Sequence, residues 1–136
     1  MANTELSTED KILEAANSIF LQFGYHGTTV QQIATKADVN TAAIHYYFRS
    51  KEKLYHKVVE NILELILNTD ILITTNRKRF KRHEWFLFTE IYNNEERFEK
   101  TVEEIYPYEC KKAINEIKKW LEFSTNERSI FGDGSV

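Results

Sequence analysis

The sequence predicts an all-α chain, in which an N-terminal three-helix helix-turn-helix domain is joined by a long fourth helix to a small helical body. Three observations predict it. One proline and four glycines in 136 residues leave little material for hairpins. Apolar residues recur at i, i+3, i+4 and i+7 through successive windows, which is the period of a helix face. Between the second and third windows lie only Asp38, Val39 and Asn40, enough for a tight turn and nothing more.

Residues 1–8 are polar. Ser7 or Thr8 can cap a first helix, and Glu9 and Asp10 suit its positive end. Ile12, Ala15, Ala16, Ile19, Phe20 and Phe23 form its buried face, and Gly24 ends it. A second helix starts at Thr28–Thr29, where Thr28 with Gln31, or Thr29 with Gln32, makes a capping box. Val30, Ile33, Ala34 and Ala37 face inward. In the turn, Asp38 can take the left-handed conformation and Val39 is the apolar plug. Asn40 or Thr41 caps a third helix to about Phe48, with Ile44 and Tyr47 or Phe48 turned to the core.

Ser50 caps a fourth helix, from Lys51 to about Leu72, with a buried stripe of Leu54, Val58, Ile62, Leu65 and Ile66. Residues 73–82 are polar and basic and read as a connection. Further helices are expected from about His83 to Asn93 and from about Glu95 to Tyr106. Pro107 opens a last helix to about Phe123, with Ala113, Ile114, Ile117 and Leu121 on one face. The expected domains are 1–50 for helix-turn-helix, 51–123 for the body, and 124–136 for a frayed tail.

The chain is 42% hydrophobic and 29% charged, a globular composition. A net charge of −3 argues against a general nucleic-acid binder. Arg49, Lys51, Lys53 and Lys57 nevertheless bunch into a local basic patch, which suffices for a protein that docks by one small face. The single cysteine, Cys110, allows no internal disulfide. No apolar run reaches the roughly 20 residues of a membrane span, and the first residues are unlike a signal peptide. A cytoplasmic protein with no membrane partner is expected. Four scattered histidines show no zinc spacing, no glycine loop cradles a phosphate, and Glu103 and Glu104, adjacent on a helix, cannot flank one substrate. No enzyme activity, cofactor or metal is expected.

In a helix-turn-helix the second helix of the pair enters the major groove and its leading residues touch base edges. Here those residues are Asn40, Thr41, Ala42, Ala43, His45 and Tyr46, small or hydrogen-bonding, as a groove-facing helix requires. From pattern alone, a plain three-helix bundle that binds protein, or nothing, is the alternative.

Residues 9–54 resemble the N-terminal domain of the tetracycline-repressor (TetR) family. The resemblance is carried by Ile12-Leu13-Glu14-Ala15-Ala16, Phe20, Phe23-Gly24-Tyr25, Thr28-Thr29-Val30, Ile33-Ala34, Ala37 and Val39. It continues through Ile44, Tyr46-Tyr47-Phe48 and Lys51-Glu52-Lys53-Leu54, without gaps. The resemblance implies a homodimeric regulator that binds a palindromic double-stranded DNA operator and is released by a small-molecule effector. Carried over by position, Thr29 would touch a phosphate and Gln31 would reach a base. Thr41 and Ala42 would lead the recognition helix with Asn40 beside them. His45, Tyr46 and Tyr47 would meet backbone or base, and Lys51 a phosphate. Asp38 departs from the usual glycine, His45 from the commoner tyrosine.

Family bodies are longer and end in two helices that form most of the dimer interface; here the resemblance fades after about Trp120. A body natively reduced and a truncated product are both open. The rival reading is a remodelled relative acting as a helical interaction module without operator binding. The body's aromatic residues are expected in core and partner-interface packing, around an apolar effector pocket of Trp85, Phe88, Tyr92, Tyr106 and Trp120, or both.

Overall fold

The computed structural model describes residues 6–67 and 81–132, with side chains described as far as Glu122. Among the described residues there are seven helices and no strand: α1 (Thr8–Phe23), α2 (Val30–Ala37), α3 (Thr41–Phe48), α4 (Lys51–Leu67), α5 (Lys81–Asn93), α6 (Glu95–Ile105) and α7 (Cys110–Gly132). They divide into two units, Met1–Ile62 and Leu63–Val136, with the division inside α4.

In the first unit, local chemistry sets the helix ends. The Ser7 hydroxyl accepts from the Asp10 N–H, and Gly24 closes α1 at φ 75°, where a side chain would be strained. Of the two possible capping boxes the chain forms Thr29 with Gln32, both arms made: Gln32 N–H to the Thr29 hydroxyl at 3.1 Å and Thr29 N–H to Gln32 Oε1 at 2.7 Å. Thr28 is buried instead, its hydroxyl donating to the Gly24 carbonyl at 2.7 Å. Asp38 takes the left-handed conformation at φ 60°, ψ 47°. Its N–H donates to Thr35 and the Val39 N–H to Ala34, the two bonds of a Schellman cap.

Ile12, Ala15, Ala16, Phe20, Ile33, Ala34, Ile44, Phe48, Leu54, Tyr55 and Val58 are buried. Phe23, expected inward, is exposed, because it is the last residue of α1, at the edge of the buried face. On α4, Leu63 is buried and Leu65 exposed. The stripe runs along Leu54, Tyr55, Val58, Val59, Ile62, Leu63 and Ile66, and Leu65 lies about 100° round the helix from Ile66. The expected continuation of α4 to Leu72 and the connection 73–80 lie outside the described residues.

In the second unit, α5 begins at Lys81, so Lys81 and Arg82 belong to the helix and not to a connection. Phe86, Leu87, Phe98, Val102, Ala113, Ile114, Ile117, Trp120 and Leu121 are buried. Asn94 caps α6 by accepting from Arg97 N–H at 2.9 Å. Lys118 on α7 bonds Glu95 at the start of α6 at 3.0 Å, holding that carboxyl below the usual range.

Two expectations for the last helix are corrected. Pro107 lies in a turn closed by the Glu109 N–H on the Tyr106 carbonyl, so the helix starts at Cys110. It then runs past Phe123 to Gly132, because the segment between holds no glycine or proline to stop it.

Candidate nucleic-acid interface

Helices α2 and α3 form the helix-turn-helix expected from the sequence, and the residues singled out for DNA come to its surface. Thr29, Gln31, Asn40, Thr41, Ala42, His45, Tyr46 and Tyr47 are exposed, and Lys51 is half-buried. Thr29 and Asn40 are the N-caps of α2 and α3. Capping uses oxygens as acceptors: the Thr29 hydroxyl accepts from Gln32, and Asn40 Oδ1 accepts from Ala43 N–H at 3.0 Å. The Thr29 O–H and the Asn40 amide N–H groups are not used by these caps. Each helix therefore presents side-chain donors at the end where its macrodipole is positive, a combination suited to phosphate.

The recognition helix is small at its start, with Ala42 and Ala43, and aromatic further on. Tyr46 is 76% exposed and meets Tyr47 edge-on at 4.9 Å. His45 Nδ1 lies 3.2 Å from the Arg49 carbonyl, while the Arg49 N–H donates to the His45 carbonyl at 3.1 Å. A carbonyl can only accept, so this bond places the proton on Nδ1. Lys51 opens α4, where the Ser50 hydroxyl accepts from Lys53 N–H at 3.1 Å. Its ammonium sits 4.2 Å from the centroid of the Tyr25 ring. Tyr25 was legible in the sequence only as part of Phe23-Gly24-Tyr25, and its contact with Lys51 has no local signal.

Residues 12–58 match the model of the bacterial regulatory proteins, tetR family. A HlyIIR mutant protein of known structure superposes with a TM-score of 0.56 at 31% identity, over 88% of this chain and 71% of that one. The chain belongs to the TetR family.

A second HlyIIR mutant superposes with a TM-score of 0.63 at 26% identity, over 95% of this chain and 90% of that one. Among TetR-family sequences, the probable HTH-type transcriptional regulator YttP of Bacillus subtilis is 47% identical over 60 residues, 44% of this chain. The biofilm operon icaADBC HTH-type negative transcriptional regulator IcaR of Staphylococcus aureus is 33% identical over 92 residues, 66% of this chain. The chain spans 29% of YttP and 49% of IcaR.

The residues expected around an effector separate in the second unit. Trp85, Phe88 and Tyr92 come together on the outer face of α5, 58%, 46% and 82% exposed. Their rings stack in series, at 6.2 Å and 22° and then at 6.4 Å and 13°. Trp120 is buried on α7. Tyr106 lines a different cleft of about 270 Å³ with Leu67, Glu109, Lys112, Ala113 and Glu116. Glu84 and Glu90, on α5, are buried, which the charge of their side chains gives no reason to expect from sequence. Among the described residues, no three His, Cys, Asp or Glu side chains are placed to hold a metal ion, and no helix is long and apolar enough to cross a membrane.

Proposed function

We propose that this TetR-family chain is a DNA-binding transcriptional repressor that seats α3 in the major groove of a palindromic operator. The observation that carries the reading is the exposed leading end of α3, small at Ala42 and donor-bearing at Asn40 and Thr41, flanked by Thr29 and Lys51. Thr29, Asn40 and Lys51 would anchor phosphates, Gln31, Thr41 and Ala42 would read base edges, and His45, Tyr46 and Tyr47 would extend the contact along the groove. One such motif covers one half-site, so the operator is bound as a homodimer. The name of IcaR as a negative regulator supports repression. A small apolar or aromatic molecule, seated against the second unit, would release the DNA.

Binding to duplex DNA from the chain's own promoter region should weaken steeply with salt. The log–log slope should be about −0.9 for each phosphate neutralised. Lys51→Ala should weaken all sequences alike. Gln31→Ala or Thr41→Ala should relax preference at particular base pairs by roughly 1–3 kcal/mol. Salt-indifferent binding would remove phosphate contacts from the reading.

The open stack of Trp85, Phe88 and Tyr92 supports a second reading, a helical interaction module without operator binding. Light scattering separates the two: a strict monomer that shifts no DNA favours the module.

A further inference from the structure

His45 lies on the exposed side of α3, with Thr41 and Ala42. At about 100° per residue it stands about 40° round the helix from Thr41 and about 60° from Ala42 in the other sense, one turn further along. Its ring therefore projects between the two small residues at the leading end of the helix.

The ring is held at one nitrogen. Arg49 is the C-cap of α3, with φ 75°, and the last carbonyls of a helix have no partner within it. The Arg49 N–H donates to the His45 carbonyl at 3.1 Å, and the Arg49 carbonyl takes His45 Nδ1 at 3.2 Å in return. A neutral imidazole has one N–H. The carbonyl claims it for Nδ1, and that bond fixes the tautomer. Nε2 is then an acceptor on an exposed side chain, and among the described residues nothing bonds it. A bare Nε2 cannot donate to a phosphate oxygen. In the major groove it can accept from the N4 amine of cytosine or the N6 amine of adenine. Opposite guanine O6 and N7, or thymine O4, two acceptors would face each other.

We infer that His45 is a specificity-determining residue: its Nε2 accepts a hydrogen bond from the exocyclic amine of a cytosine or adenine in each operator half-site. This role rests on the operator-binding reading above. The C-cap of α3 supports it, because the Arg49 carbonyl decides which nitrogen is left for the base. Ring and tautomer are set before DNA arrives, so little ordering is left for the bound state.

The test selects duplexes from a randomised pool with the full wild-type chain and with His45→Ala. Wild type should select cytosine or adenine at one position of each half-site. His45→Ala should lose the preference there and keep it elsewhere. The amine is then removed alone in the selected duplex, with 2-pyrimidinone for cytosine or purine for adenine, and binding is read by fluorescence anisotropy. The loss should be about two- to tenfold for wild type and absent for His45→Ala. Any effect of the missing amine on base pairing is common to both chains and cancels in the comparison. Nitrogen-15 NMR of the ring should show the proton on Nδ1 and a bare Nε2, in the free chain and in the complex. Three results overturn the acceptor role while operator binding stands: guanine or thymine selected at the position that depends on His45, a proton on Nε2 in the complex, or equal amine losses in both chains. His45→Ala weakening all sequences alike also overturns it, and marks His45 as a phosphate contact. A wild-type chain that selects no duplex overturns the operator-binding reading, and this role with it.

Discussion

Arg49 joins the recognition helix to α4 at φ 75°, ψ −46°, a conformation that L side chains rarely adopt. The Ser50 N–H donates to the Phe48 carbonyl at 2.9 Å across it, which makes a γ-turn of the rare, strained kind. Such residues cost of order 1–3 kcal/mol and concentrate at functional sites. Arg49 is exposed and stands in the basic patch with Lys51, Lys53 and Lys57. Arg49→Gly should therefore stabilise the fold by about 1 kcal/mol, the relief of strain less the entropy of glycine, while lowering affinity for duplex DNA by loss of a cation. Arg49→Ala should lower affinity without the gain in stability. Thermal denaturation and anisotropy on the two variants check this, and equal melting temperatures would remove strain from the account.

Turns and helix ends are the features of single elements that position the interface. A Cβ at Gly27 would run into the Phe23 carbonyl oxygen, which is backbone and cannot swing aside. Gly27→Ala should force the α1–α2 turn open and destabilise the first unit by about 1–3 kcal/mol, read by denaturant unfolding.

On α5, burial first and the Arg82 cation second hold the His83 imidazole below its ordinary value. Folding then favours the neutral ring. Below about pH 6.5 the unfolded chain binds a proton that the folded chain resists. Stability is thus full above that pH and falls as pH drops toward the lowered folded value. Both tryptophans, Trp85 and Trp120, lie in the second unit. Their fluorescence should report thermal unfolding that shifts to lower temperature between about pH 7.5 and 5.5, and His83→Gln should flatten that dependence.

Across the whole molecule, α4 is one helix that starts in the first unit at Lys51 and passes into the second. On the operator-binding proposal, it is the covalent route by which a ligand on the second unit would reach the DNA-facing residues. Operator half-sites have fixed spacing, so a ligand that displaced α4 in a dimer would unseat one recognition helix. A planar apolar molecule docking on Trp85, Phe88 and Tyr92 should quench the exposed Trp85 and weaken DNA binding by a coupling energy of about 1–3 kcal/mol. Reciprocity requires that DNA weaken the ligand by the same factor. Quenching that leaves affinity for DNA unchanged would separate the aromatic face from regulation.

The features legible without the fold lie within about four residues along the chain. Ser7, Gly24, Thr29, Asp38, Asn40 and Ser50 act at helix ends through their own side chains or backbone, and the period of Ile12, Ala16 and Phe20 is a property of one helix. The exposed end of α3 was legible for the same reason: its residue types and its distance from the preceding helix are local facts.

Tertiary structure decided everything that depends on which surfaces meet. It chose Leu63 over Leu65 for the buried stripe of α4, because the direction of the stripe is set by what packs on it. It divided the aromatic residues of the second unit, burying Phe86, Phe98 and Trp120 and leaving Trp85, Phe88 and Tyr92 in an open stack. It brought Tyr25 beneath Lys51, twenty-six positions further along the chain. Propensity and capping are energies of neighbours in sequence, whereas burial and cation–ring contact are energies of neighbours in space, and only the folded chain decides who those are.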